Sequence, residues 1–164
     1  MDKQVLMSTI KLKLNGWEKS ITFSASHILP GHEKCGRIHG HNYAIHVRIS
    51  GEPSESGFVF DFLPIKEKLR EIADRLDHRI LIASGMDGLE VGEDEVRINI
   101  RGKRYVFPKD DAFILDIDQI TAEQLAMFLL EKVIDELDLP DKVNSVEIGV
   151  DESRGQGAWA RKEI

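Results

Sequence analysis

Between His27 and His41 the chain places four of its six histidines and its only cysteine within fifteen residues. His39 and His41 stand two apart at the head of the segment His39 to Ser50, which alternates apolar residues. On a strand both imidazoles point to one face. A second alternating run, Ile21-Thr-Phe23-Ser-Ala25-Ser-His27, ends on a third histidine, and a neighbouring antiparallel strand brings it beside the pair. Three neutral imidazoles with a fourth position open are the ligand set of a catalytic zinc. The competing reading is three satisfied or surface histidines. The His-x-His spacing together with a third His at a strand end favours the metal.

The rest of the chain has to build a scaffold around that stretch. Val5 to Leu14 reads as a strand, and Asn15-Gly16 supplies hairpin-turn residues leading into the strand that ends at His27. Residues 28 to 38 carry Pro30, Gly31 and Gly36 without periodicity, and form the loop that holds Cys35. The cluster Gly51 to Gly57 marks a second loop, followed by short extended Phe58-Val-Phe60. Asp61 then caps a helix with Phe62, Ile65, Leu69, Ile72 and Leu76 at helical spacing, and Asp77-His78 follows at its end. Val96 to Ile100 and Lys103 to Phe107 flank Arg101-Gly102 as a hairpin. Thr121 with Gln124 is a capping box for a helix through Leu125, Phe128, Leu129 and Val133. Val146, Ile148 and Val150 alternate on a strand, with Glu152 in the same parity, and a last strand surrounds Trp159.

With 164 residues, 41% hydrophobic and 31% charged, the chain fits a single domain over 1–164. A net charge of −7 argues against non-specific nucleic-acid binding, which relies on clustered Lys and Arg. The apolar runs are too short to span a membrane, the N-terminus lacks a signal-peptide pattern, and one cysteine makes no intrachain disulfide. A cytoplasmic location is expected.

The elements Phe23-Ser-Ala-Ser-His27, Cys35-x-x-x-His39-Gly-His41-Asn-Tyr43, Asp61-Phe62, Leu76-Asp77-His78, Thr121-Ala-Glu123 and Glu152-Ser153 occur in that order along most of the chain. In this the sequence resembles the 6-pyruvoyltetrahydropterin and 6-carboxytetrahydropterin synthase family. The four-residue step from Cys35 to His39 is similar to the carboxy branch. Glu152-Ser153 replaces the family's Glu-Thr, Trp159 stands near its C-terminal Tyr, the Asn usual after Asp-His is missing, and the hairpin region 85–111 looks inserted. The resemblance implies an α+β T-fold, an antiparallel sheet with two helices on one face. It also implies a hexamer of two trimers and a 7,8-dihydroneopterin triphosphate substrate. The product would be 6-carboxytetrahydropterin, with acetaldehyde and triphosphate, on a route to the deazaguanine nucleosides of tRNA. A 6-pyruvoyltetrahydropterin synthase and a non-catalytic pterin- or metal-binding protein are the alternatives.

Roles follow from that implied chemistry. Zn2+ on His27, His39 and His41 supplies a Lewis acid for the substrate side chain. Cys35 suits a base if a neighbouring cation favours its thiolate, and Lys34, Arg37 or the zinc is available; otherwise it is an inert core thiol. Asp77 can orient His78 as a second acid or base, or the pair only caps the helix. The Glu152 carboxylate matches the paired donors of an amino-pyrimidine edge, unless it is a solvated strand-end acid. Thr121 is a helix cap, and the resemblance suggests that its backbone also helps hold the pterin. His32 and His46 receive no role.

Overall fold

A computed structural model describes residues 8–164. The first strand is β1 (Ile10–Leu14); its expected start at Val5 lies outside the described residues. Asn15-Gly16 does not turn a hairpin. The Asn15 side chain accepts hydrogen bonds from the Trp17 and Glu18 amides and caps a one-turn helix, α1 (Gly16–Lys19). Gly16 is required there because a Cβ would collide with the Ile45 carbonyl. The helical corner sets β1 and β2 (Thr22–His27) end to end. Both pair antiparallel with the thirteen-residue β3 (His39–Gly51), Leu14 opposite Val47 and Thr22 opposite Ala44.

Asp61 caps α2 (Phe62–Leu76) by accepting from the Leu63 amide. Its apolar stripe packs as the spacing predicts, with Ile65, Leu69, Ile72 and Leu76 buried. The chain leaves α2 directly into β4 (Arg79–Ala83), which returns parallel to β2, and β8 (Ala112–Leu115) lies parallel to β4. The sheet is therefore mixed rather than antiparallel throughout. β4 runs opposite to β3, the strand before α2, and so lies along β2, while β8 follows β4 in direction after a longer excursion of the chain. These short strands are apolar runs without alternation, so periodicity alone did not separate them from helix or loop.

The region expected as a hairpin is a separate three-stranded antiparallel sheet, β5 (Leu89–Val91), β6 (Glu95–Ile100) and β7 (Lys103–Pro108). Thr121 caps α3 (Ala122–Glu136), and β9 (Val143–Ser153) and β10 (Gln156–Glu163) complete the main sheet in the order β10-β9-β3-β2-β4-β8. The capping box is only half formed: Thr121 Oγ1 accepts from the Gln124 amide, but Gln124 Oε1 accepts from the Asp118 and Gln119 amides instead of Thr121.

One core cluster joins α2 and α3 to Ile45, Val47 and Ile49 of β3 and to Val146, Ile148 and Val150 of β9. The opposite face of the sheet carries polar groups. Glu147 pairs there with Lys11 at 2.6 Å and Arg48 at 3.2 Å, and Asp151 accepts from Trp17 Nε1 at 2.8 Å. Helices on one face and alternating polar residues on the other make this an α+β domain.

Candidate metal centre and active site

Antiparallel register places His27, the last residue of β2, opposite His39, the first of β3. His41 follows two residues on, so all three imidazoles share the helix-side face. Their ring centroids are 4.4 Å (His27 to His39), 5.3 Å (His27 to His41) and 5.2 Å (His39 to His41) apart. One nitrogen from each falls within 4.8 Å of the others. The Cys35 sulfur is outside that group.

His27 is 2% exposed, and neither of its ring nitrogens has a hydrogen-bond partner. Buried polar atoms are almost always satisfied, so two orphaned nitrogens facing two further imidazoles mark a place for a cation. Burial, followed by the charges of His39 and His41, lowers the His27 pKa from 6.5 to about 4. A weak backbone contact at Ile120 opposes the shift without satisfying either nitrogen. His27 is thus neutral at pH 7, the form that ligates metal. His39 Nδ1 sits 2.8 Å from the Arg37 carbonyl. A carbonyl only accepts, so Nδ1 carries the proton and Nε2 keeps its lone pair, the usual outer support of a ligating histidine. A neutral His27, the convergence of the three rings and this outer contact fit a divalent metal ion.

Tyr43 continues the same face. It stacks on Phe23 at 4.7 Å and meets His41 edge-on at 5.5 Å, with its hydroxyl buried and unpartnered. Burial first, and then the Glu152 charge, raises its pKa. Alternation beyond Val150 brings half-buried Glu152 to this face, within electrostatic reach of Tyr43. Tyr43 was visible in the sequence only as part of a motif. Its parity with His39 and His41 was the available signal.

Asp77 ends α2. Its Oδ1 accepts from the Ser24 amide at 2.7 Å, which chiefly holds its pKa below the usual carboxylate value, and Oδ2 lies 2.7 Å from His78 Nδ1. The His78 amide donates to the Ser24 carbonyl, so the pair is tied to β2 from both sides. His78 has φ 56 and its side chain is 84% exposed. It projects into a cleft of about 610 Å³ whose wall includes Ser24, His41, Asn42, Arg79, Phe107 and Asp111. The cleft touches one member of the histidine triad but not Cys35.

Cys35 is half-buried in the loop, its carbonyl accepting from the Leu29 amide at 2.9 Å and its amide donating to His32 Nδ1 at 3.0 Å. His32 is thus a local clasp that sequence reasoning missed, since nothing in its spacing announces a side-chain-to-backbone bond. Thr121 is half-buried at the α3 N-terminus, next in sequence to Ile120. His46 lies on the opposite face from the triad. Its Nδ1 accepts from the Gly16 amide, its Nε2 stands 3.3 Å from Asp151, and burial lowers its pKa.

Comparison with known proteins agrees with this geometry. The family model for 6-pyruvoyl tetrahydropterin synthase matches residues 17–163. A Methanocaldococcus jannaschii protein provisionally named 6-carboxy-5,6,7,8-tetrahydropterin synthase is 35% identical over 158 residues, covering 93% of this chain and 97% of its own length. The Haemophilus influenzae 6-carboxy-5,6,7,8-tetrahydropterin synthase is 38% identical over 69 residues, 38% of this chain and 49% of its own. The solved Plasmodium vivax 6-pyruvoyl tetrahydropterin synthase superposes with a TM-score of 0.87 at 30% identity, covering 96% of this chain and 99% of that one. Sequence and T-fold architecture together show that the chain belongs to the 6-pyruvoyl tetrahydropterin synthase family.

Proposed function

We propose that the protein is a zinc-dependent 6-carboxy-5,6,7,8-tetrahydropterin synthase acting on 7,8-dihydroneopterin triphosphate. The products are 6-carboxytetrahydropterin, acetaldehyde and triphosphate, and the route leads to queuosine- or archaeosine-type 7-deazaguanine nucleosides. The observation that carries this reading is the convergence of His27, His39 and His41 around two orphaned buried nitrogens. The carboxy branch is favoured because the relatives matched by sequence bear that name and because Cys35 precedes His39 by four residues.

His27, His39 and His41 would hold the zinc, which would supply Lewis-acid polarisation of the substrate side chain. The Arg37 carbonyl fixes the His39 ring. Cys35 is the base that takes a carbon-bound proton. Asp77 holds His78 in the tautomer with Nδ1 protonated, leaving Nε2 to accept or return a proton in the cleft. Glu152 accepts two hydrogen bonds from the amino-pyrimidine edge, and the backbone at Thr121 helps seat the ring. We assign the protein to the cytoplasm and to a hexamer of two trimers. Among the described residues no helix is long and apolar enough to cross a membrane. Among the described residues the β10 and β8 edges of the main sheet lack a neighbouring strand, which favours closure by other copies. A solution mass equal to the 18.6 kDa monomer at micromolar concentration would refute the assembly.

The deciding experiment incubates the purified zinc-loaded protein with dihydroneopterin triphosphate and identifies the products. Acetaldehyde is expected. A pyruvoyl side chain would instead make it a 6-pyruvoyltetrahydropterin synthase, and unchanged substrate would leave a binding protein.

A further inference from the structure

The proposed chemistry gives the β5–β7 sheet no task beyond placing Phe107 in the wall of the His78 cleft. The sheet is firmly seated. Val96 and Ile98 of β6 are buried in the main core. At its far end β6 and β7 are joined by Arg101 (φ 52) and Gly102 (φ 72). A two-residue turn with both residues left-handed favours Asn, Asp or Gly at the first position, and a long side chain there is disfavoured. The Arg101 side chain has a partner that accounts for it. Its Nη1 donates to the His32 carbonyl at 2.9 Å, across 69 positions of sequence.

His32 is the hub of the loop that carries Cys35. Its carbonyl also accepts from the Gly36 amide at 2.9 Å, and its Nδ1 accepts from the Cys35 amide at 3.0 Å. The Arg101 guanidinium lies over Gly36, where a Cβ would collide with both Nη1 and the His32 oxygen. A left-handed arginine and a glycine that leaves room for its side chain distinguish this contact from a passing surface pair, which commonly contributes nothing. A planar guanidinium suits the space over a glycine better than a lysine ammonium does.

We propose that the inserted sheet braces the Cys35 loop and that Arg101 is its positioning residue, acting through His32 and Gly36. The inference rests on the proposed role of Cys35 as base. A reacting group displaced by about 1 Å loses up to about 10²-fold in rate.

The test uses the zinc-loaded full chain and the variants Arg101→Ala, Arg101→Lys and His32→Ala. In Arg101→Ala, kcat is expected to fall about 10- to 100-fold, with KM within about twofold and zinc content unchanged. Amide exchange in the 28–38 peptide should quicken about fivefold or more while β3 peptides keep their protection. Arg101→Lys should be intermediate; because alanine keeps the His32 carbonyl that Arg101 binds, His32→Ala removes only the Nδ1 bond to the Cys35 amide, and the Arg101→Ala/His32→Ala double variant should be worse than either single. Iodoacetamide labelling of the single cysteine should also quicken in Arg101→Ala, and this reads the loop without any turnover. Unchanged exchange and labelling in Arg101→Ala would overturn the brace. Faster exchange with unchanged kcat would overturn the positioning role. If the unmodified protein turns over no pterin, the functional reading fails separately, and exchange and labelling still decide the brace.

Discussion

Replacing His27 by Leu should make the metal-free protein more stable at pH 7 while removing its response to zinc. Both His27 ring nitrogens are buried and unpartnered. An unsatisfied buried polar group costs about 1–3 kcal/mol, and Leu has nearly the same volume, so the variant should gain about that much in the absence of metal. The difference must widen in acid. The folded-state pKa of His27 is about 4 against 6.5 for the ordinary side chain. Because the folded value is depressed, the unfolded chain binds more protons between these limits, and wild-type stability falls as pH drops from 6.5 towards 4. The loss by pH 4 is about 3 kcal/mol, and it is absent from the Leu variant. Zinc reverses the order at pH 7: a ligand at about 1,000 times its Kd adds about 4.1 kcal/mol to wild type and nothing to a chain that cannot hold it. Urea unfolding of both proteins in EDTA at pH 7 and 4.5, and with zinc at pH 7, measures every term. A metal-free Leu variant less stable than wild type at pH 7, or one still stabilised by zinc, would refute the reasoning.

Cys35→Ala should keep its zinc and lose at least about 10²-fold in single-turnover rate; full activity would remove the thiol from the reaction, and loss of zinc would make it a ligand. His39→Ala and His41→Ala should each lose most of the metal by elemental analysis, because two imidazoles hold zinc poorly against water. Leu69→Ala, at a fully buried α2 position, should lower unfolding free energy by about 2–5 kcal/mol, read as a shifted urea midpoint with unchanged slope. Thr121→Ala removes the α3 cap and should lower stability by about 1 kcal/mol, with a rise in KM only if that backbone also seats the pterin.

The sequence by itself determined the features that depend on near neighbours. The apolar stripe of α2, its Asp61 cap, the Arg101-Gly102 turn and the shared parity of His39, His41 and Tyr43 follow from periods of 3.6 and 2 and from side chains bonding nearby amides. The Glu152 parity with Val146, Ile148 and Val150 was legible for the same reason. Tertiary structure decided what distance along the chain conceals. Asn15-Gly16 has the composition of a hairpin turn, yet the packing of Gly16 against Ile45 and its bond to His46 make it a helical corner. The direction of β4 and β8 is set by pairing with remote strands, which no local period encodes. His27 became a partner of His39 only through the β2–β3 register, and Arg101 reached His32 only because Val96 and Ile98 anchor the inserted sheet in the core. Local periodicity selects which face a residue occupies; which other residues share that face is decided by long-range pairing and burial.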